Sequence, residues 1–182
     1  MHVTDTIILI GWIAFWIYWF ARMVGVKQGR TRWGQFAGFR IVIFVVIVFV
    51  VRAGAFKNQT ITDNAWRQGI GLALFAAGLG LAIWARLYIG RNWGSPMSQK
   101  DDPDLVRTGP YARIRHPIYS GILLAVIGTA VAVSWFWLFI GVVMAAYFGY
   151  SAFMEERYMT SRFPDSYPGY KHSTKMFVPF VV

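Results

Sequence analysis

Between Gly109 and Gly121 the chain reads Gly-Pro-Tyr-Ala-Arg-Ile-Arg-His-Pro-Ile-Tyr-Ser-Gly, gathering Arg113, Arg115, His116, Tyr111 and Tyr119 around two prolines where a polar loop enters an apolar run. Pro117 pushes His116 out of helical geometry and itself suits a first helical turn, which predicts a helix beginning at Pro117 with His116 at its cap. The first N–H groups of that helix lack internal partners and the local dipole is positive, so a carboxylate or phosphate would be held there, with Arg113 and Arg115 just upstream. Tyr119 and Gly121 fall in the first turn, where a glycine lets a ligand or another backbone approach closely. The same residues also describe a plain basic juxtamembrane loop running into a proline-started helix.

A second polar feature is the pair Glu155-Glu156 at the end of the last long apolar run. On a helix the i±3 and i±4 neighbours of Glu155 are Ser151, Ala152, Tyr158 and Met159, and those of Glu156 are Ala152, Phe153, Met159 and Thr160. None is basic, and the helix C-terminus disfavours negative charge. The partner is therefore expected from another segment, such as Arg113 or Arg115, or from a ligand, unless the pair simply faces water. Adjacent helical residues differ by about 100°, so one of the two is expected to point into a site.

The chain that must position these groups is oily. Its 182 residues are 57% hydrophobic and 14% charged, against about a quarter charged in a soluble domain. We expect an all-α integral membrane protein with five transmembrane helices, over about residues 6–24, 39–56, 68–89 and a tight helical hairpin within 118–154 that turns near Ser134-Trp135. Gly69, Gly71, Gly78 and Gly80 in the third span suit close helix packing, although Gly78-Leu79-Gly80 could also admit a cofactor. The long loop 90–117 and the tyrosine-rich C-terminal segment then fall on one side. With the N-terminus outside, fifteen basic residues lie on the cytoplasmic side and Arg52, Lys57 and Arg67 outside, which together account for all 18. The net charge of +10 is explained by that cytoplasmic face rather than by nucleic acid. There are no cysteines, and His2, His116 and His172 are widely scattered, so no metal site is expected.

With the loop motif, the acidic pair and the tail in view, the chain resembles the isoprenylcysteine carboxyl methyltransferases and the related phospholipid methyltransferases. The residues that carry the likeness are Gly109-Pro110-Tyr111, Arg115 through Gly121, Glu155-Glu156, Phe163, Tyr167, Tyr170-Lys171 and Pro179-Phe180. The resemblance implies one membrane-embedded methyltransferase domain over 1–182, with scaffold spans in 1–60 and a catalytic core in 68–182. It implies S-adenosylmethionine as cofactor, S-adenosylhomocysteine as product, and a cofactor pocket built from His116, Pro117, Tyr119, Gly121, Glu155 and Glu156. It places Arg115 near the transferred methyl, with Tyr167 and Tyr170 toward the substrate. Where the family often has an arginine after the last Tyr-Lys, this chain reads His172-Ser173-Thr174-Lys175, so that role passes to Lys175 or is absent.

Methyl transfer from a sulfonium is an in-line displacement that needs alignment and exclusion of water. A carboxylate nucleophile needs only an orienting cation, for which Arg115 or Arg113 is the candidate. An amine or thiol must first lose a proton, which His116 or a glutamate such as Glu156 could take. The expected activity is carboxyl O-methylation of a prenylated or similar amphiphile, with a membrane lipid or other lipophilic molecule as partner. N-methylation of phosphatidylethanolamine, or methylation of a small thiol or amine, is the alternative within the class. A non-enzymatic scaffold or transporter is the alternative outside it.

Overall fold

The computed structural model describes residues 3–22, 29–31, 64–94, 98–100 and 102–178. The expected second span, residues 39–56, and the closing Pro179-Phe180 lie outside the described residues.

The described part is built from five α-helices. Helix α1 (Val3–Ala21), α2 (Ala65–Ile89), α3 (Pro117–Ala132) and α4 (Phe136–Arg162) correspond to four of the five expected spans, and α5 (Tyr167–Ser173) is a short helix near the C-terminus. Of these, α1, α2 and α4 are each long and apolar enough to cross a membrane. Helix α3 has 16 residues, most of them buried by its neighbours. Among the described residues, apolar side chains are exposed on the outer helices, at Ile10, Ile13 and Ile17 of α1 and Val142 of α4. One feature has no counterpart in the sequence reading: residues Gly29–Thr31 (β1) and Ser98–Lys100 (β2) pair antiparallel, with Arg30 opposite Gln99.

Local chemistry sets the helix ends. Asn64 caps α2, its side-chain oxygen accepting from the N–H groups of Trp66 and Arg67. Gly90 closes the same helix at φ 54°, a conformation glycine adopts without strain. Helix α3 starts at Pro117 with His116 at the cap, as the proline predicts. The hairpin turns at residues 133–135, where the Ser134 hydroxyl accepts from the N–H of Phe136.

Helix α3 lies against α2 along a seam of small residues. A Cβ added at Gly121 would sit 2.6 Å from the backbone nitrogen of Ala82, and one at Gly71 would sit 2.6 Å from that of Ala132. Gly78 and Gly128 are closed off in the same way, by Ala125 and Phe75. Such closeness lets two backbones gain dispersion contacts, which is how helices associate where lipid removes the hydrophobic drive. Gly69 and Gly80 meet nothing within 4 Å, so the third-span glycines divide into two that face α3 and two that do not. Helix α1 docks on this pair. Trp12 donates its indole N–H to Thr129 at 3.2 Å and meets Phe75 edge-on.

Candidate active site

The polar corner forms where the loop before α3 meets the C-terminal segment. Gly109, at φ 59°, opens a 3-10 turn over Gly109–Ala112 and faces the Tyr88 ring where a Cβ would be. Tyr111 is buried, its hydroxyl donating to the Ala85 carbonyl at 3.4 Å and its own carbonyl accepting from Tyr170 at 2.7 Å. The next residues run beside the tail. Ile114 bridges Lys175 in parallel, the Arg115 N–H donates to the Lys175 carbonyl at 2.8 Å, and the His116 N–H donates to that of Met176 at 3.1 Å. The tail thus covers the entry to α3.

Side chains complete the corner. Arg115 donates from Nε to Glu156 Oε1 at 2.6 Å, and from Nη1 to the carbonyls of Lys171, at 3.0 Å, and Thr174. Lys171 Nζ lies 2.7 Å from Glu156 Oε2. Glu156 is only 2% exposed, so its pair with Arg115 is held largely out of water, while Lys171 reaches it from the half-exposed edge. Glu155 differs: Oε1 accepts from the Tyr119 hydroxyl at 2.6 Å, and Oε2 lies 3.6 Å from His116 Nδ1. His116 Nε2 is buried without a hydrogen-bond partner, 3.5 Å from Glu156 Oε1. The imidazole lies parallel to Tyr119, whose ring stacks on Phe148 at 4.4 Å between centroids.

A cavity of about 630 Å³ opens beside this corner. Its polar wall carries Arg115, His116, Tyr119, Glu155, Tyr167 and Tyr170. The rest is mainly apolar and aromatic, reaching Trp16, Trp19 and Phe20 of α1 and Ile122, Met144 and Phe148 in the hairpin. Burial, with Glu156 adding to it and Arg115 opposing it, pushes the Tyr170 hydroxyl up to about 12. Burial and Glu156 raise that of Tyr167 as well. Both are therefore neutral hydrogen-bonding groups at physiological pH.

The sequence candidates thus separate. Arg115, His116, Tyr119, Glu155, Tyr167 and Tyr170 meet on one wall. Glu156 stands behind it and holds Arg115. Pro117 is buried as the first residue of α3 and does not reach the wall. The missing side chain of Gly121 serves close approach to α2, not to the cavity. Arg113 is exposed, off the wall, and joins the corner only through its carbonyl, which accepts from the N–H of Lys175 at 3.2 Å. Lys175 too is exposed and contributes backbone.

Three contributors were not anticipated. Lys171 is the second cation on Glu156, a role hinted at by two carboxylates with no basic helical neighbour. Asn92, on the cavity wall, donates to Asp104 at 2.9 Å while its Oδ1 is buried without a partner. Arg86 is buried in α2 with its guanidinium 4.6 Å over the Trp93 ring, where an arginine inside an apolar run was the available signal. Among the described residues no group of three or more metal-ligating side chains converges.

Comparison with known proteins bears on this geometry. The phospholipid methyltransferase family model matches residues 66–166, more than half of the chain and the stretch that carries His116, Tyr119, Glu155 and Glu156. The chain belongs to that family. It is 30% identical over 148 residues to the cobalt-zinc-cadmium resistance protein CzcN of Cupriavidus metallidurans, covering 77% of this chain and 63% of that one. It is 26% identical over 168 residues to the protein-S-isoprenylcysteine O-methyltransferase of Schizosaccharomyces pombe, covering 90% of this chain and 67% of that one. Among solved structures it resembles a eukaryotic intramembrane Ras methyltransferase, isoprenylcysteine carboxyl methyltransferase, with a TM-score of 0.50 and 25% identity over 84% of this chain and 55% of that one. The chain therefore spans about half to two-thirds of the length of these proteins. Family membership and the apolar helices make it an integral membrane protein.

Proposed function

We propose that the chain is a membrane methyltransferase that uses S-adenosylmethionine and acts on a lipophilic acceptor entering from the bilayer. The observation that carries this reading is the cavity: a polar wall at the ends of α3 and α4, continuous with an apolar aromatic space bounded by α1 and the hairpin. The residues fit the cofactor. Glu155 on the wall suits a cationic ligand, and His116 Nε2 is a buried polar atom with its hydrogen-bonding capacity unused. His116, Tyr119 and Glu155 would hold the cofactor, while Glu156 and Pro117 fix them from behind. Bound S-adenosylmethionine would supply an electrophilic methyl group on a sulfonium.

The chain's own residues do the rest. Tyr167, Tyr170 and Arg115 line the acceptor's approach, and the tail over the corner excludes water. The whole of 1–182 acts as one domain, with catalytic side chains from 68–182 and α1 supplying apolar wall. The strong charge asymmetry supports a cytoplasmic loop 90–117 and C-terminus, with the N-terminus outside.

The test is incorporation of labelled methyl from S-adenosylmethionine, with purified protein in lipid vesicles. Label in the organic phase, competed by added amphiphile, is expected. Label only in water-soluble products, unaffected by added lipid, would overturn the lipophilic acceptor.

A further inference from the structure

Among the described residues a second space, an apolar groove of about 310 Å³, runs along α1 away from the polar corner. Asp5, Leu9, Trp12 and Trp16 line it from α1, spaced so that they fall on one stripe of the helix. Facing them is the side of α3 that also lines the reaction cavity. Ile118 and Ile122 stand in the cavity, and Val126, Thr129 and Val133 continue the same stripe into the groove. Trp16 and Met144 line both spaces, so cavity and groove meet between α1 and α4.

The middle of the groove asks for no polar partner. Trp12 donates to the Thr129 hydroxyl at 3.2 Å, and that hydroxyl donates to the Ala125 carbonyl at 2.9 Å, so both polar groups on the wall are already satisfied. What remains is ring and hydrocarbon surface, which suits an alkyl chain. Leu9 is 49% exposed and Trp16 42%, so the edge of the groove is open and an alkyl chain can enter sideways without threading. Asp5, in the first turn of α1, stands at the far end, where a carboxylate disfavours further hydrocarbon.

We propose that this groove holds the far half of the acceptor's alkyl tail and, with Trp16 and Met144 at its entrance, sets the tail length that is accepted. This rests on the methyltransferase reading above and narrows its lipophilic acceptor to one of defined length. Helix α1 lies outside the family-matched residues 66–166, so the family core supplies one wall and the first helix of this protein the other. Along α3, Val126 lies about 12 Å and Val133 about 22 Å beyond Ile118, at roughly 1.5 Å per residue. An extended chain advances about 1.2 Å per bond, a third of the roughly 3.6 Å that a backbone residue spans. An alkyl tail whose head sits at the corner therefore enters the groove after about 10 bonds and reaches its end after about 18. Shorter tails stay in the cavity, and longer ones meet Asp5.

The test measures binding of two single-chain series, N-acetyl-S-alkylcysteines with an anionic head and n-alkylamines with a cationic one, with tails of about 8 to about 20 carbons. Full-length protein in detergent micelles is titrated by calorimetry in the presence of S-adenosylhomocysteine, with probe concentrations expressed as mole fractions in the micelle. In at least one series, wild-type affinity should rise about fivefold or more between tails of about 10 and about 18 carbons, then fall for the longest. Leu9→Trp fills the open far half of the groove and leaves the cavity untouched. It should move the optimum several carbons shorter while S-adenosylhomocysteine affinity stays within about twofold of wild type. Met144→Trp, at the entrance, should abolish the gain beyond about 10 carbons. A flat wild-type profile, a profile unchanged in both variants, or no binding of either series by protein that binds S-adenosylhomocysteine would overturn the tail site. Absence of S-adenosylhomocysteine binding by folded wild type would instead remove the methyltransferase reading beneath it, whatever the alkyl series shows.

Discussion

The length of α3 and its N-terminal corner are held by opposite means. Along its length the helix meets α2 through Gly71, Gly78, Gly121 and Gly128, where contact is a matter of shape and is shared among many weak interactions. At its N-terminus it is tied by a few charged groups, with Glu156 between Arg115 and Lys171 and Tyr119 on Glu155. The seam resists insertion of atoms and is indifferent to charge. The corner is sensitive to charge and depends on the tail, since Lys171 and the Thr174 carbonyl come from beyond the family-matched residues 66–166. The tail adds contacts to the corner that the helices alone do not supply.

Substitutions can break each side of this comparison separately. Glu156→Ala leaves Arg115 and Lys171 facing each other without their carboxylate, and a loss of roughly 3–5 kcal/mol in unfolding free energy is expected for a broken, largely buried pair. Thermal unfolding in detergent micelles reads it. Gly128→Val drives a side chain into Phe75 across the seam and should cost about 1–3 kcal/mol, while the folded fraction keeps wild-type cofactor affinity. Lys171→Met removes a half-exposed partner, and solvent screening limits its effect to about 1 kcal/mol or less. Gly80→Ala sharpens the contrast within one helix. Gly80 meets nothing within 4 Å whereas Gly78, two residues earlier, is closed off by Ala125, so Gly80→Ala should stay within about 0.5 kcal/mol of wild type and Gly78→Ala should not.

Much of this was legible in the sequence for local reasons. Pro117 fixes the start of α3 because its ring forbids the preceding residue a helical conformation. Ser134 and Trp135 mark the turn because the apolar run is too long for one crossing. The acidic pair announced a partner elsewhere because no helical neighbour was basic, and Arg115 supplies it. What stayed hidden depends on how elements are rotated and brought together. Glu155 faces the cavity and Glu156 does not, which follows from the roll of α4. Gly121 faces α2 for the same reason. The three-residue strands β1 and β2 pair across the chain and are too short to leave an alternating pattern. Lys171 lies on a seven-residue helix whose placement no local signal gives.

The most direct measurement of the central claim is calorimetric titration of the detergent-purified protein with S-adenosylhomocysteine, run beside Glu155→Gln, which lies on the cavity wall, and Gly128→Val, which lies on the seam. Saturable binding by the wild type, weakened in Glu155→Gln and preserved in Gly128→Val, is the predicted result. No binding by folded wild-type protein, or equal weakening in both variants, would contradict a cofactor site at the α3 corner.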